Sequence, residues 1–88
     1  MQIKDQVRSF IIANFYVPDP SVLVDDASLI ERGVLDSTGV LEIVGFLEDT
    51  FSIPVTDTDM VPENLDSIAR ICDFVERKKV ERARAAHG

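Results

Sequence analysis

Asp36 and Ser37 stand together where a polar loop, ending in Gly33-Val34-Leu35, gives way to a strongly amphipathic stretch. A serine hydroxyl at such a junction has two uses. Its oxygen can cap the helix by accepting a bond from an orphan N–H of the first turn, or the hydroxyl can be offered outward for covalent chemistry. As a nucleophile it needs a base, and the sole histidine, His87, lies fifty residues away near the end of the chain. No G-x-S-x-G elbow surrounds Ser37. Asp57-x-Asp59 opens like a calcium loop, but Pro62 stands at the place of the tight-turn glycine and Ile68 at that of the closing glutamate. One cysteine, Cys72, and one histidine do not make a zinc site, and Gly33, Gly39 and Gly45 match neither phosphate-cradling pattern. Neither autonomous catalysis nor a bound metal is expected.

The elements that must position this pair are helices. Ile3, Val7, Phe10 and Ile11 recur at helical spacing and predict a first helix over about residues 2–16, ended by Pro18 and Pro20. Residues 17–36 have no sustained period and read as a long loop with apolar anchors at Leu23, Leu29 and Leu35. A second helix over 37–51 places Val40, Ile43, Val44, Leu47 and Phe51 on a buried face, with Thr38, Glu42, Gly45 and Asp49 facing outward and Leu41 and Glu48 on the border toward Ser37. Asp57 or Thr58 would cap a short third helix around Met60, stopped by Pro62. Asp66 or Ser67 would cap a fourth, with Ile68, Ile71, Cys72 and Val75 turned inward. The expected fold is all-α, a small four-helix bundle over residues 1–80, with a long loop between helices 1 and 2 and a frayed or disordered basic tail over 81–88 that includes His87.

Charge narrows the partners. Residues 1–75 carry 4 basic and 14 acidic side chains, residues 76–88 carry 5 and 2. An acidic body disfavours nucleic acid and anionic membranes, both of which demand cations, and favours proteins with basic faces. A lone cysteine excludes an internal disulfide, and no long uncharged apolar run suggests membrane insertion, so a soluble, monomeric, cytoplasmic protein is expected. Glu42, Glu48 and Asp49 have the bland reading of a wet helix face; their adjacency to Ser37 and the lack of nearby cations make them, with Thr38, Leu41 and Gly45, the candidate partner-binding residues.

The run Gly33-Val34-Leu35-Asp36-Ser37, followed by Val40-Leu41-Glu42-Ile43-Val44, Leu47-Glu48-Asp49-x-Phe51, Ile53-Pro54 and Ile68-x-x-Ile71-x-x-Phe74-Val75, resembles the acyl carrier proteins of the phosphopantetheine-binding superfamily over roughly residues 3–78. The resemblance implies that Ser37 is the attachment point of 4'-phosphopantetheine, transferred from coenzyme A by a phosphopantetheinyl transferase, and that Asp36 orients or electrostatically assists it. The arm's thiol would hold an acyl or aminoacyl group as a thioester, loaded by a ligase and passed to downstream transferases. Fatty-acid carriers usually place leucine after the serine, where this chain has Thr38, and often a bulky apolar residue where it has Gly45. The pattern Gly33-Val34-Leu35-Asp36-Ser37-Thr38-Gly39, together with the segment from Pro54 to Leu65, is more similar to free-standing carriers of specialised pathways, aminoacyl and D-alanyl carriers included. A small acidic helical adaptor without a prosthetic group would share the core and the acidic face but would not need Ser37.

Overall fold

Val7 and Ile11, one helical turn apart, are buried on the inner face of the first helix, α1 (Ile3–Asn14), in the computed structural model, which describes residues 2–17 and 19–87. Ile3 and Phe10 flank them, half-buried against the core. The helix stops at Phe15, whose backbone is extended, so it is shorter at both ends than the periodicity suggests; Pro18 lies outside the described residues. Pro20 opens a 3-10 turn (Pro20–Val22), and the Asp19 carboxylate accepts the Ser21 N–H at 3.1 Å.

The long loop is held at three apolar points and two polar ones. Leu23, Leu29 and Leu35 are buried as expected, together with Ala27. Asp25 receives the Arg8 guanidinium and, at 3.1 Å, the Lys4 ammonium of α1, while its carbonyl accepts the Ala69 N–H at 2.8 Å. Asp66 accepts from the Ser28 hydroxyl at 2.7 Å and the Ile30 N–H at 2.9 Å, and its carbonyl takes the Leu29 N–H at 2.7 Å. Backbone groups that would otherwise be costly to bury are thereby paired, and irregular chain is fastened to helical chain.

Helix α2 (Ser37–Phe51) buries Ile43, Val44, Leu47 and Phe51; Val40 is half-buried, packed at the core's edge rather than inside it. The helix ends on Ser52, left-handed at φ 55°, the conformation that terminates many helices. Beyond it the structure departs from the sequence reading. Residues 57–59 form a 3-10 turn capped by Thr56, not by Asp57 or Thr58, with the Asp59 carboxylate returning to the Thr56 N–H at 3.0 Å. The short third helix, α3 (Pro62–Leu65), starts at Pro62 instead of being stopped by it. Proline's fixed φ and missing N–H suit the first helical position, where no intrahelical donor is needed.

Helix α4 (Ile68–His87) is capped by Ser67, whose hydroxyl accepts the Arg70 N–H at 3.1 Å. Ile68, Ile71, Phe74 and Val75 are buried, whereas Cys72, expected inside, is half-buried at the edge. The expected frayed tail is helical through His87, with Gly88 outside the described residues. Several cations of α4 are engaged. Arg77 donates to the Asn64 side chain at 2.7 Å, Lys79 lies over the Phe51 ring at 5.9 Å, and Arg82 donates to the Ser52 carbonyl at 2.6 Å, covering an orphan acceptor at the end of α2. Helix α4 thus packs against each of the other three, in an all-α domain without strands among the described residues. No helix is long and apolar enough to cross a membrane among those residues.

Lys78 pairs with Asp59 at 2.7 Å, the two side chains only 15% and 21% exposed. The Lys78 ammonium, then the Thr56 N–H, hold the Asp59 carboxyl below its ordinary range, against the opposing effect of burial. A carboxyl depressed in the folded state contributes stability that is complete above its unfolded value, about 3.9, and lost as pH falls through the lower folded value. Lys78→Met is therefore expected to raise the Asp59 midpoint toward the ordinary value and to cost roughly 1 kcal/mol at neutral pH. Carbon-detected titration of the carboxyl reads this directly, and an unmoved midpoint would contradict the pairing.

Candidate functional site

Asp36, not Ser37, caps α2. Its backbone is extended, its Oδ1 accepts the Gly39 N–H at 2.8 Å, and its carbonyl takes the Val40 N–H at 2.9 Å. Ser37 is consequently the first residue inside the helix and is exposed; among the described residues its hydroxyl has no hydrogen-bond partner. The amide N–H groups of Ser37 and Thr38 stay open at the helix's positive end, where they favour negative charge. The capping role that local sequence could have given either residue thus falls on the aspartate, and the serine is left unused by the fold.

The approach to this corner is fixed by its neighbours. The Val34 and Leu35 N–H groups both donate to the Leu29 carbonyl, at 2.9 and 3.1 Å, after a turn in which Gly33 takes φ 73°. Leu35, 4% exposed, anchors the chain one residue before the cap. On the other side a Cβ at Gly39 would lie 2.7 Å from Phe15 Cε1 and 3.1 Å from Leu35 Cδ1, so only glycine lets the end of α1 press against the first turn of α2.

Chemically, the corner presents a hydroxyl for another molecule to act upon. One oxygen of the Asp36 carboxylate is committed to the cap. The chain's own thiol is a poor substitute, because burial, reinforced by the fields of Glu76 and Asp25, pushes Cys72 up and keeps it protonated at neutral pH.

The candidate partner residues divide. Thr38, Glu42, Gly45 and Asp49 border a shallow groove along the α1–α2 seam, and Leu41, 63% exposed, stands on its rim. Glu48 points elsewhere, its carboxylate accepting the Val55 N–H at 3.4 Å and steadying the segment after α2. The opposite wall belongs to α1 and was not foreseen: Phe10 and Asn14 along its length, Phe15 and Tyr16 at its end. Beneath runs an aromatic row, Phe15 edge-on to Phe10, Phe10 stacked on Phe46 at 4.2 Å, and Phe46 edge-on to Phe51. The adjacent aromatics Phe15-Tyr16, just past the end of α1, are the available signal in the sequence. Comparison with protein-family models and with curated proteins found no match for this chain.

Proposed function

We propose that this protein is a carrier whose Ser37 hydroxyl receives 4'-phosphopantetheine from coenzyme A and whose arm then holds acyl or aminoacyl groups as thioesters. The observation that carries the reading is the division at the start of α2, where Asp36 caps and Ser37, exposed and unpaired among the described residues, is free to react. The motif similarity around Asp36-Ser37 supplies the identity of the group. Transfer forms an Oγ–P bond at Ser37, breaks the pyrophosphate link of coenzyme A, and releases adenosine 3',5'-bisphosphate, the hydroxyl proton passing to a base of the transferase. A phosphodiester at Ser37 sits at the positive end of α2 beside the open N–H groups, which favour its charge. Asp36 acts as a positioning residue, holding Ser37 at the first helical position.

The carried group's chemistry belongs to the arm and to the enzymes that load and unload it. Thr38 and Gly45 set the face beside Ser37 apart from that of fatty-acid carriers, and we assign the protein to a dedicated biosynthetic pathway. Labelling with a fluorescent coenzyme A analogue and a promiscuous phosphopantetheinyl transferase tests the site: wild-type protein should become fluorescent, and Ser37→Ala should abolish labelling while leaving the helical circular dichroism unchanged. Undiminished labelling of the alanine variant would overturn the assignment of Ser37.

A further inference from the structure

Tyr16, at 84%, is the most exposed of the large hydrophobic side chains among the described residues. It stands just past the end of α1 and, with Phe15, borders a hollow that Asp36 and Thr38, the two neighbours of Ser37, border as well. Gly33 and Val34 also line it, and a Cβ at Gly33 would meet nothing within 4 Å, so the hollow is open there. Val34 borders a second, larger cavity too, lined from within the 17–36 loop and including buried Leu23 and Ala27. The way from Ser37 past Tyr16 thus leads from a polar hollow toward an apolar one.

The polar groups of the first hollow are acceptors without donors. One oxygen of the Asp36 carboxylate is left over from the cap, and the Glu42 carboxylate has no partner among the described residues. Asn14 gives its amide nitrogen to the Phe10 carbonyl at 2.9 Å, which leaves its side-chain oxygen to accept. Ionised carboxylates accept only, so this lining suits neutral N–H and O–H donors and repels an anion.

We propose that this hollow, with Tyr16 as its binding residue, is the resting site of the arm that Ser37 carries. The site rests on the carrier reading. Beyond its phosphodiester, which stays at the open N–H groups of α2, the arm is neutral: a geminal dimethyl carbon, a hydroxyl and two amides. The Tyr16 ring offers the dimethyl carbon an apolar face beside a polar tip. Asp36, Glu42 and Asn14 receive the hydroxyl and amide donors, and the thiol end extends over Val34 toward the loop cavity. Tethering allows so shallow a hollow to hold it. Attachment at Ser37 gives the arm an effective concentration on the order of millimolar, and an intrinsic affinity of the same order then fills the site about half the time.

Tyr16 is the only tyrosine and the chain has no tryptophan, so its emission reports on this site alone. Wild-type protein shown by intact mass to carry the arm is compared with unmodified protein by acrylamide quenching. The arm should lower the quenching constant by about twofold, as half occupancy requires. Nuclear Overhauser contacts should join the Tyr16 ring to the arm's geminal methyls. In arm-bearing Tyr16→Ala those methyls should move to the shifts of free phosphopantetheine, and Tyr16→Phe should restore them; an exposed residue outside α1 can be changed without unfolding the helix. Equal quenching with and without the arm, methyl contacts confined to α3 or α4, or methyl shifts that survive Tyr16→Ala would overturn the resting site while leaving the carrier reading in place. A protein that gains no mass would overturn both.

Discussion

Truncating Leu29 to alanine is expected to lower unfolding free energy by about 2–5 kcal/mol, a large part of the total for a domain of this size. Leu29 sits in the long loop yet is fully buried. Its N–H reaches the Asp66 carbonyl, and its own carbonyl takes the Val34 and Leu35 N–H groups that lead the chain into the Asp36 cap. The loss therefore combines a cavity with slackening of the route to Ser37. Ile30, the next residue and 47% exposed, is the control: Ile30→Ala should stay within about 0.5 kcal/mol. Urea unfolding of both variants distinguishes an anchored loop from a loose one, and equal small effects would contradict the anchoring.

The two glycines of α2 should respond to alanine with opposite signs. At Gly39 the new methyl would press on the Phe15 ring at 2.7 Å and crowd Asp36 Oδ1 at 3.3 Å, so overpacking and a weakened cap act together. Gly39→Ala is expected to cost roughly 2–4 kcal/mol, against the small gain in helix propensity. At Gly45 the methyl meets open space, and Gly45→Ala should stabilise by about 0.5–1 kcal/mol. Thermal melts resolve this, since each kcal/mol moves the midpoint of a domain this small by about 4–8 °C. A stabilising Gly39→Ala would mean that α1 does not close on the first turn of α2.

The contrast also marks what the sequence could disclose. Periodicity located α1, α2 and the core of α4, because one buried face per helix repeats at 3.6 residues, and the anchors Leu23, Leu29 and Leu35 stood out in polar surroundings. Pro62 was misread because proline both stops helices and starts them, and only the chain's direction on either side decides which. The helical state of residues 81–87 is not legible in the sequence because the Arg82 contact that fastens the segment reaches back 30 positions to Ser52, while hydropathy sees only the loss of an apolar stripe. At the site, the Asp36-Ser37 junction was legible but the allocation of the cap was not, since either side chain satisfies the same preference. The groove was invisible for a simpler reason. Its walls come from two helices whose Phe10 and Phe46 rings stack across 36 positions of sequence, a contact that no single-helix pattern contains.

The carrier proposal places all of its chemistry on one hydroxyl, so its most direct test is the intact mass of the purified protein after incubation with coenzyme A, magnesium and a promiscuous phosphopantetheinyl transferase, followed by fragmentation of the peptide containing residue 37. The expected result is a single added phosphopantetheine localised to Ser37, with no addition to Ser37→Ala. An unchanged mass of the folded wild-type protein, under conditions that fully modify a known carrier in the same tube, would contradict the account.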